Sequence, residues 1–284
     1  MDIGLSATPD IASNLLERQL GEFRTSHAPR HVSRRGVEWS YYTGGDAGEV
    51  LLRLTGALGL AEFSFQQIRL FERQFRVIAP DYPAVGSLAE MIDGLVAILD
   101  AEGVGRAHVS GGSFGGLLAQ VLVRHAPERV ASLVLSHTGA PDGRRRRLGV
   151  AIAAALPVSL LRALLKARLG RTLDAADPFW RRYFDRAINE MTKADIMSRV
   201  RLQAEFGQQT GWSPNDLARW PGRVLLIEGE DDPLFASAAR QRLRALYPTA
   251  EVYAFQGTGH AAAVLKPEEY AAVVSRFLLQ QRSG

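Results

Sequence analysis

Two kinds of hydrophobic pattern alternate along this chain, and this constrains its fold more than any other feature. From about residue 37, short apolar runs alternate with stretches whose apolar side chains recur at helical spacing. Such alternation is typical of an α/β protein with a mostly parallel central sheet flanked by helices. The predicted strands are 50–54, 75–79, 107–110, 130–136, 223–228 and 251–255, and the predicted helices start at Ser87, span 114–125 and 236–246, and start again at Pro267.

Residues 143–210 interrupt the alternation, because helical patterns follow one another there without a strand between them. This stretch is interpreted as an insertion after the strand 130–136. A chain of 284 residues can form one large α/β domain or two small ones. Residues 1–36 precede the alternation and are predicted to be an N-terminal extension with an amphipathic helix around 11–23, to which no role is assigned.

Composition excludes several classes of site. The chain has no cysteine, so a disulfide framework, a thiolate nucleophile and a Cys-ligated zinc site are excluded. The formal net charge of +4 is unevenly distributed, since residues 141–220 hold 15 basic and 8 acidic side chains and the remainder carries −3. This excess is too small for the footprint of a nucleic-acid-binding surface, so no nucleic-acid partner is predicted.

The N-terminal segment does not have the pattern of a secretion signal. Asp2, Asp10 and Glu17 interrupt it, and no continuous apolar core follows a basic start. The longest apolar stretch, residues 150–161, is about 12 residues long and too short to span a bilayer. The sequence therefore predicts a soluble, cytoplasmic protein without a transmembrane segment.

A glycine-rich turn between a predicted strand and a predicted helix carries the sharpest chemical signal. It reads Gly111-Gly112-Ser113-Phe114-Gly115-Gly116. A reversal this tight strains the serine backbone, and the flanking chain can pass only if the residues two before and two after the serine lack bulk. The turn would present the Ser113 hydroxyl at the start of a helix, where free backbone N–H groups favour developing negative charge.

A serine hydroxyl needs a base and an orienting acid to act as a nucleophile. Two later turns, each following a predicted strand, supply them: residues 229–233 read Gly-Glu-Asp-Asp-Pro and residues 257–260 read Gly-Thr-Gly-His. The order serine, aspartate, histidine is the one expected for a sheet of this kind.

The remaining histidines have less favourable positions. His27 and His31 are predicted to lie in an arginine-rich N-terminal loop, His108 inside a strand and His125 late in a helix. His137 follows a central strand at its carboxyl end, and it is predicted to line the pocket.

These motifs together resemble those of the α/β-hydrolase superfamily, over roughly residues 37–280, and the Pro80-Asp81-Tyr82-Pro83 segment adds to the likeness. The resemblance implies Ser113 as nucleophile, His260 as base and Asp232 as the acid that orients the imidazole. Asp231 is the near alternative to Asp232. Asp142 is a more distant alternative, since some members of the family take their acid from that place.

The resemblance also implies an oxyanion hole made of two backbone N–H groups, those of Phe114 and Ala57. Members of the family carry a His-Gly pair before the second donor. Here the loop reads Leu54-Thr55-Gly56-Ala57-Leu58-Gly59, so the glycine is retained and Thr55 replaces the histidine. Thr55 and Leu58 are predicted to line the pocket.

By the same resemblance, residues 141–214 are expected to form a helical lid over a core made of 37–140 and 215–284. Its apolar helical face and its arginines suit a hydrophobic or anionic substrate, free or on a carrier protein, although a helix packed on the core with a solvated basic face is the simpler interpretation. Phe179, Trp180, Tyr183 and Phe184 form an aromatic cluster that is expected to pack the lid.

The resulting hypothesis is a serine hydrolase that forms an acyl-enzyme on an ester, thioester or lactone, with no cofactor and no metal. One alternative is a lyase, acyltransferase or cyclase that uses the same pocket, and another is a non-catalytic binding protein of this fold. The sequence gives no prediction of the oligomeric state.

Overall fold

A computed structural model describes residues 9–46, 48–144, 146–173 and 175–280 of the chain. The first eight residues of the predicted N-terminal extension lie outside the described residues. Within these ranges the chain forms eight strands, β1 Arg30–Arg34, β2 Val37–Gly44, β3 Val50–Leu54, β4 Arg76–Pro80, β5 Ala107–Gly112, β6 Val130–Ser136, β7 Val224–Gly229 and β8 Glu251–Phe255.

The helices of the same ranges surround these strands. They are α1 Pro9–Ser26, α2 Phe65–Phe71, α3 Leu88–Ala101, α4 Phe114–His125, α5 Arg147–Ala155, α6 Val158–Gly170, α7 Pro178–Glu190, α8 Lys193–Gly207, α9 Ser237–Leu246, α10 Ala262–Leu265 and α11 Pro267–Leu279.

The strands pair into a single sheet in the order β1-β2-β4-β3-β5-β6-β7-β8. From β4 to β8 in this order neighbouring strands are parallel, whereas β2 is antiparallel to both β1 and β4. The predicted mostly parallel sheet with flanking helices is confirmed, and each predicted strand lies within two residues of the observed bounds at either end.

The edge of the sheet differs from the sequence prediction. Residues 30–34, which the sequence places in the extension, form β1, so His31 lies in a strand and not in a loop. An edge strand has few buried side chains, and only Val32 in β1 is even partly buried. The sequence therefore shows no apolar run at this strand.

Apolar side chains cover both faces of the sheet, because successive strand residues point to opposite sides. On one face, Leu51 and Val77 pack in a cluster that includes side chains of α2 and α11. On the other face, Leu52 and Ile78 pack with side chains of α3 and α4. Because β5, β6, β7 and β8 are parallel, their carboxyl ends lie at the same edge of this closely packed sheet.

Four helices, α5 to α8, form the insertion between β6 and β7. The predicted N-terminal amphipathic helix is observed as α1, and its buried Leu20 and Phe23 join the same core cluster as the buried aromatic residues of α7. In the part of the chain that the structure describes, no helix combines the length and hydrophobicity needed to cross a membrane.

Candidate active site

Ser113 lies between β5 and α4 in a strained backbone conformation. Its φ is 52° and its ψ is −114°, a region that non-glycine residues rarely occupy. A Cβ on Gly111 would lie 2.3 Å from the carbonyl oxygen of Gly115, and one on Gly115 would lie 2.3 Å from that of Leu54. The turn therefore requires glycine on both sides of the serine, as the sequence motif indicates.

Hydrogen bonds hold the strained residue in place. The Ser113 N–H donates to the Ser136 carbonyl at 2.8 Å, and the Thr138 hydroxyl donates to the Ser113 carbonyl at 2.9 Å. Both partners come from the end of β6 and the loop that follows it. The neighbouring strand thus fixes where the Ser113 side chain emerges.

His260 and Asp232 are in direct contact. The Nδ1 of His260 lies 2.8 Å from the Oδ2 of Asp232. The other carboxylate oxygen accepts the N–H groups of Leu234 at 2.8 Å and Phe235 at 3.2 Å. Burial alone would raise the pKa of Asp232, but its hydrogen bond to His260 and these backbone donors lower the pKa below the ordinary value. Asp232 is therefore held as a carboxylate in a buried position.

The two alternative acids lie elsewhere. Asp231 accepts the Gly259 N–H at 3.0 Å, so it braces the turn that carries His260 without contacting the imidazole. Asp142 pairs with Arg146 through two hydrogen bonds of 3.0 and 2.6 Å. Of the three aspartates that the sequence proposes, the structure brings only Asp232 to the histidine.

His137 packs beside the pair. Its ring meets the His260 ring edge-on at a centroid distance of 5.5 Å, and Phe235 stacks on His260 at 5.7 Å. The Ser136 hydroxyl lies 2.9 Å from the His137 Nδ1. Burial, with the nearby charge of His260, lowers the pKa of His137 to about 3, so this imidazole is neutral near pH 7.

The loop after β3 runs alongside Ser113. A Cβ built on Gly56 would lie 4.0 Å from the Ser113 Cβ. In the described part of the chain, the N–H groups of Ala57 and Phe114 donate to no protein acceptor. Two free backbone donors of this kind, beside a serine hydroxyl, can stabilise an anionic oxygen on a reacting carbonyl.

A cavity of about 130 Å³ opens at Ser113. Ser113 and His260 both line it, and so do Thr55, Ala57, Leu58 and His137. Leu60, Phe63, Phe184 and Val264 make most of its wall apolar. We call this space the first cavity.

A second cavity, of about 330 Å³, reaches Ser113 as well. Ser113, Ala57, Leu58 and Leu169 line both cavities. The second cavity has a more polar wall, to which Arg146, Arg168 and Arg242 contribute. Ser113 thus lines two spaces of different character.

The inserted helices form part of both cavity walls. Leu173 and Phe184 face the first cavity, while Leu165 and Arg168 face the second. The aromatic cluster packs largely inside the protein, since Trp180 stacks on Phe65 at 5.5 Å. The insertion therefore contributes side chains to the walls of both cavities that reach Ser113.

Sequence reasoning misses several polar residues of the first cavity, among them the charged Arg53 in β3. The signal was present, since an arginine interrupts the apolar run Val50-Leu51-Leu52-Arg53-Leu54. A charge inside a strand that is buried on both faces marks an unusual position.

In the described ranges, no three His, Asp or Glu side chains are grouped closely enough to hold a metal ion.

Comparison with known proteins shows the family. Residues 55–273 match the Alpha/beta hydrolase family. The chain belongs to this family. The match includes Ser113, Asp232 and His260, and it confirms the α/β-hydrolase fold that the sequence motifs predict.

Several hydrolases resemble this α/β hydrolase along most of its length. It is 27% identical over 255 residues to the 2-hydroxymuconate semialdehyde hydrolase of Pseudomonas putida, which covers 79% of this chain and 82% of that protein. A solved hydrolase from Pseudomonas aeruginosa PA01 gives a TM-score of 0.75 at 23% identity, covering 89% of this chain and 98% of that one. The enol-lactonase from Burkholderia xenovorans LB400 gives 0.73 at 17% identity, covering 88% and 100%.

Proposed function

We propose that this α/β hydrolase is a serine hydrolase that works through an acyl-enzyme on Ser113. The observation that carries the proposal is the shared cavity, in which a strained serine and a histidine held by a buried carboxylate face the same space. The hydrolases that match the chain over most of its length support hydrolytic activity.

In the proposed reaction, His260 takes the proton of the Ser113 hydroxyl while the Ser113 oxygen attacks the acyl carbonyl. The hydrogen bond from Nδ1 to Asp232 leaves Nε2 as the basic nitrogen and stabilises the imidazolium that forms. His260 returns the proton to the leaving group, and a water molecule then releases the acid by the same steps in reverse. The N–H groups of Phe114 and Ala57 stabilise the negative oxygen in both halves of the reaction.

Esters, thioesters and lactones are the proposed substrate class. An acyl group bound in the first cavity and a leaving group in the second would place the reacting carbonyl at Ser113, where the two spaces meet. The structural likeness to an enol-lactonase is in keeping with cyclic esters as members of this class.

The insertion is proposed to act as a lid, with residues 141–214 covering a core made of 37–140 and 215–284. Support comes from its side chains in the walls of both cavities. A lid of this kind excludes water from the acyl carbonyl until the leaving group has departed.

One observation favours a second candidate, a lyase, acyltransferase or cyclase using the same pocket. Thr55 stands where family members carry a histidine, and its buried hydroxyl has no hydrogen-bond partner. An acyltransferase or cyclase would pass the acyl group from Ser113 to a nucleophile other than water, and a lyase would break a bond by elimination without acyl transfer.

A fluorophosphonate probe tests the serine mechanism directly. It transfers a phosphonyl group to an activated serine oxygen with loss of fluoride, and intact-mass spectrometry counts the adducts. The wild type is expected to gain one adduct, Ser113→Ala none, and Ser237→Ala, which alters an exposed serine of α9, one. An unlabelled wild type, or labelling that persists in Ser113→Ala, contradicts the proposal.

Turnover separates hydrolysis from the second candidate. A panel of short p-nitrophenyl esters, long-chain acyl thioesters and lactones is expected to contain substrates that the wild type hydrolyses and Ser113→Ala does not. Labelling of Ser113 without hydrolysis of any substrate in water would instead favour non-hydrolytic chemistry.

A further inference from the structure

Arg53 is a buried cation in the wall of the first cavity. It lies in β3, is 4% exposed, and contacts the cavity that contains Ser113. Leu52 and Leu54 on either side of it are fully buried. The position is one that a leucine or valine would ordinarily fill.

The guanidinium is poorly satisfied by the protein. Its Nη1 contacts only the Ser110 hydroxyl and carbonyl, at 3.4 and 3.5 Å, and its Nε is buried without an acceptor. Among the described residues it forms no ion pair with an acidic side chain. The face of the Tyr270 ring, 5.6 Å away, is its main electrostatic partner.

Two other arginines, the buried Arg199 and the partly buried Arg124, make closer hydrogen bonds than Arg53 does. Arg199 donates to the carbonyls of Pro83 and Tyr82. Arg124 pairs with Asp216 at 3.2 Å and donates to the Tyr247 hydroxyl at 2.8 Å. Within the described ranges Arg199 also has no ion pair and an Nε without an acceptor, but Arg53 lacks the closer carbonyl acceptors that Arg199 has. A ligand that supplies an anion would therefore satisfy the buried guanidinium of Arg53.

We propose that Arg53 binds a carboxylate at the far end of the substrate's acyl group, so that the enzyme acts on esters or thioesters of short dicarboxylic acids. This inference rests on the proposed serine hydrolase function. Hydrolysis of such a substrate consumes one water and yields the alcohol or thiol and a free dicarboxylate. A planar guanidinium matches a carboxylate with two parallel hydrogen bonds.

The geometry limits the length of the acyl chain. A Cβ built on Gly112 would lie 3.8 Å from both terminal nitrogens of Arg53, so the guanidinium lies beside the residue that precedes Ser113. Few methylene groups fit between a carbonyl on Ser113 and a carboxylate on Arg53. Thr55 adds a buried hydroxyl without a partner to the same wall, a second donor for the anion.

A pair of chromogenic esters tests the proposal. The p-nitrophenyl hemiester of glutarate carries the terminal carboxylate, and p-nitrophenyl pentanoate has the same chain length without it. The wild type is expected to give the higher kcat/KM with the hemiester. Arg53→Met is expected to lower that value by roughly 10- to 100-fold, mostly through KM, and to change the pentanoate value less than about threefold.

Two further variants serve as controls. Arg53→Lys keeps the charge but loses the paired donors, so its kcat/KM for the hemiester should lie between those of the wild type and Arg53→Met. Arg73→Met makes the same chemical change at an exposed arginine just after α2 and should match the wild type. Equal losses on both esters in Arg53→Met, or a wild type that prefers the neutral ester over hemiesters of succinate, glutarate and adipate, overturn the proposal.

A binding measurement separates this inference from the catalytic proposal. Calorimetric titration of Ser113→Ala with glutarate should show binding that the double variant Ser113→Ala/Arg53→Met loses, whereas inorganic phosphate should bind neither. Glutarate binding that depends on Arg53, without fluorophosphonate labelling of Ser113, would contradict the serine mechanism and support the carboxylate site. Labelling of Ser113 together with hydrolysis that does not depend on Arg53 would contradict the carboxylate site but not the serine mechanism. Binding of phosphate in place of glutarate would do the same.

Discussion

At the scale of single residues, the site depends on a backbone conformation that only its neighbours make possible. Ser113 has a positive φ because β5 turns into α4 without an intervening loop. Gly115 allows this by lying against the carbonyl oxygens of Leu54 and Thr55. The same glycine thus shapes both the serine turn and the loop that contains Ala57, the proposed second oxyanion donor.

Adjacent aspartates provide a matched test of the acid. Asp232→Asn replaces the acceptor at the His260 Nδ1 by a group that favours the wrong tautomer, so kcat is expected to fall by about 10³- to 10⁴-fold. Asp231→Asn removes the charge but keeps an oxygen that can accept the Gly259 N–H, and it should cost less than about tenfold. Steady-state kinetics on one ester measures both, and a larger loss in Asp231→Asn would contradict the assignment.

His137 predicts a dependence of stability on pH. Its pKa is about 3 in the folded protein and near 6.5 in an unfolded chain, so the unfolded state binds more protons between these values. The free energy of unfolding contributed by His137 therefore falls as the pH drops below about 6.5 and is constant above it. Between pH 7 and pH 5 the loss is about 1–2 kcal/mol.

Urea denaturation of the wild type and His137→Asn at pH 5, 6 and 7 measures this contribution. Asparagine tolerates the positive φ of 48° at this position. The variant is expected to show a flatter profile, and the difference between the two curves isolates His137 from other titrating groups. Parallel profiles would show that His137 is not held neutral by burial.

Local sequence was sufficient to propose Ser113, Asp232 and His260, because each lies in a short turn directly after a strand. It favoured Asp232 and kept Asp231 and Asp142 as alternatives, since the sequence does not show which carboxylate contacts the imidazole. The unpaired state of Arg53 depends on what packs around β3 from distant parts of the chain. No local pattern contains that information.

At the scale of elements, a short turn after β3 joins three parts of the molecule. Glu62 in this turn accepts two hydrogen bonds from Arg24 of α1, at 2.6 and 2.7 Å, and one from the Tyr183 hydroxyl of α7, at 2.9 Å. Burial and the charge of Glu62 raise the pKa of Tyr183, so its hydroxyl remains a donor. The N-terminal helix and the insertion are thus tied to the loop that leads into the first cavity.

Glu62→Gln weakens this junction while keeping its shape. The expected loss in the free energy of unfolding is about 1 kcal/mol, because one side of the Arg24 pair is half-exposed and solvent screens it. Glu22→Gln removes a fully surface pair with Arg69 and should change stability by less than about 0.5 kcal/mol. Urea denaturation compares the two variants, and equal effects would contradict the role of Glu62.

Hydrophobic patterns predicted the central strands well and the sheet edge poorly. A parallel strand such as β6 is buried on both faces and appears in the sequence as a continuous apolar run. The edge strand β1 reads Arg-His-Val-Ser-Arg, with a single apolar residue, so its pairing with β2 cannot be inferred from burial. The contact between α1 and α7 joins segments that are about 160 residues apart, which no local window detects.

At the scale of the whole molecule, positive charge gathers around the second cavity. The sequence places an excess of +7 in residues 141–220, and Arg146 and Arg168 bring part of it to the cavity wall. Arg242 joins them from α9, outside that segment. The charge balance of the sequence therefore identifies Arg146 and Arg168, whereas the fold is needed to place Arg242 beside them.

This arrangement predicts a salt effect on substrate capture. Attraction between the arginines and an anionic substrate is screened as ionic strength rises. Between about 50 and 500 mM NaCl, kcat/KM for the glutarate hemiester is expected to fall severalfold, while that for the neutral pentanoate changes less than about twofold. Stopped-flow or initial-rate kinetics measures the ratio, and equal salt dependence of the two esters would contradict a role for the basic surface.

Because two cavities meet at Ser113, the proposed reaction involves two kinds of selectivity, one for the acyl donor and one for the acyl acceptor. In the proposed acyl-enzyme mechanism, an alcohol that enters the second cavity after the leaving group has departed would approach the acyl carbonyl from the vacated side, in competition with water. Residues of the first cavity then decide which acyl donor is accepted, and residues of the second decide which acyl acceptor is used. Apart from the residues that line both cavities, donor and acceptor preference would therefore depend on different side chains.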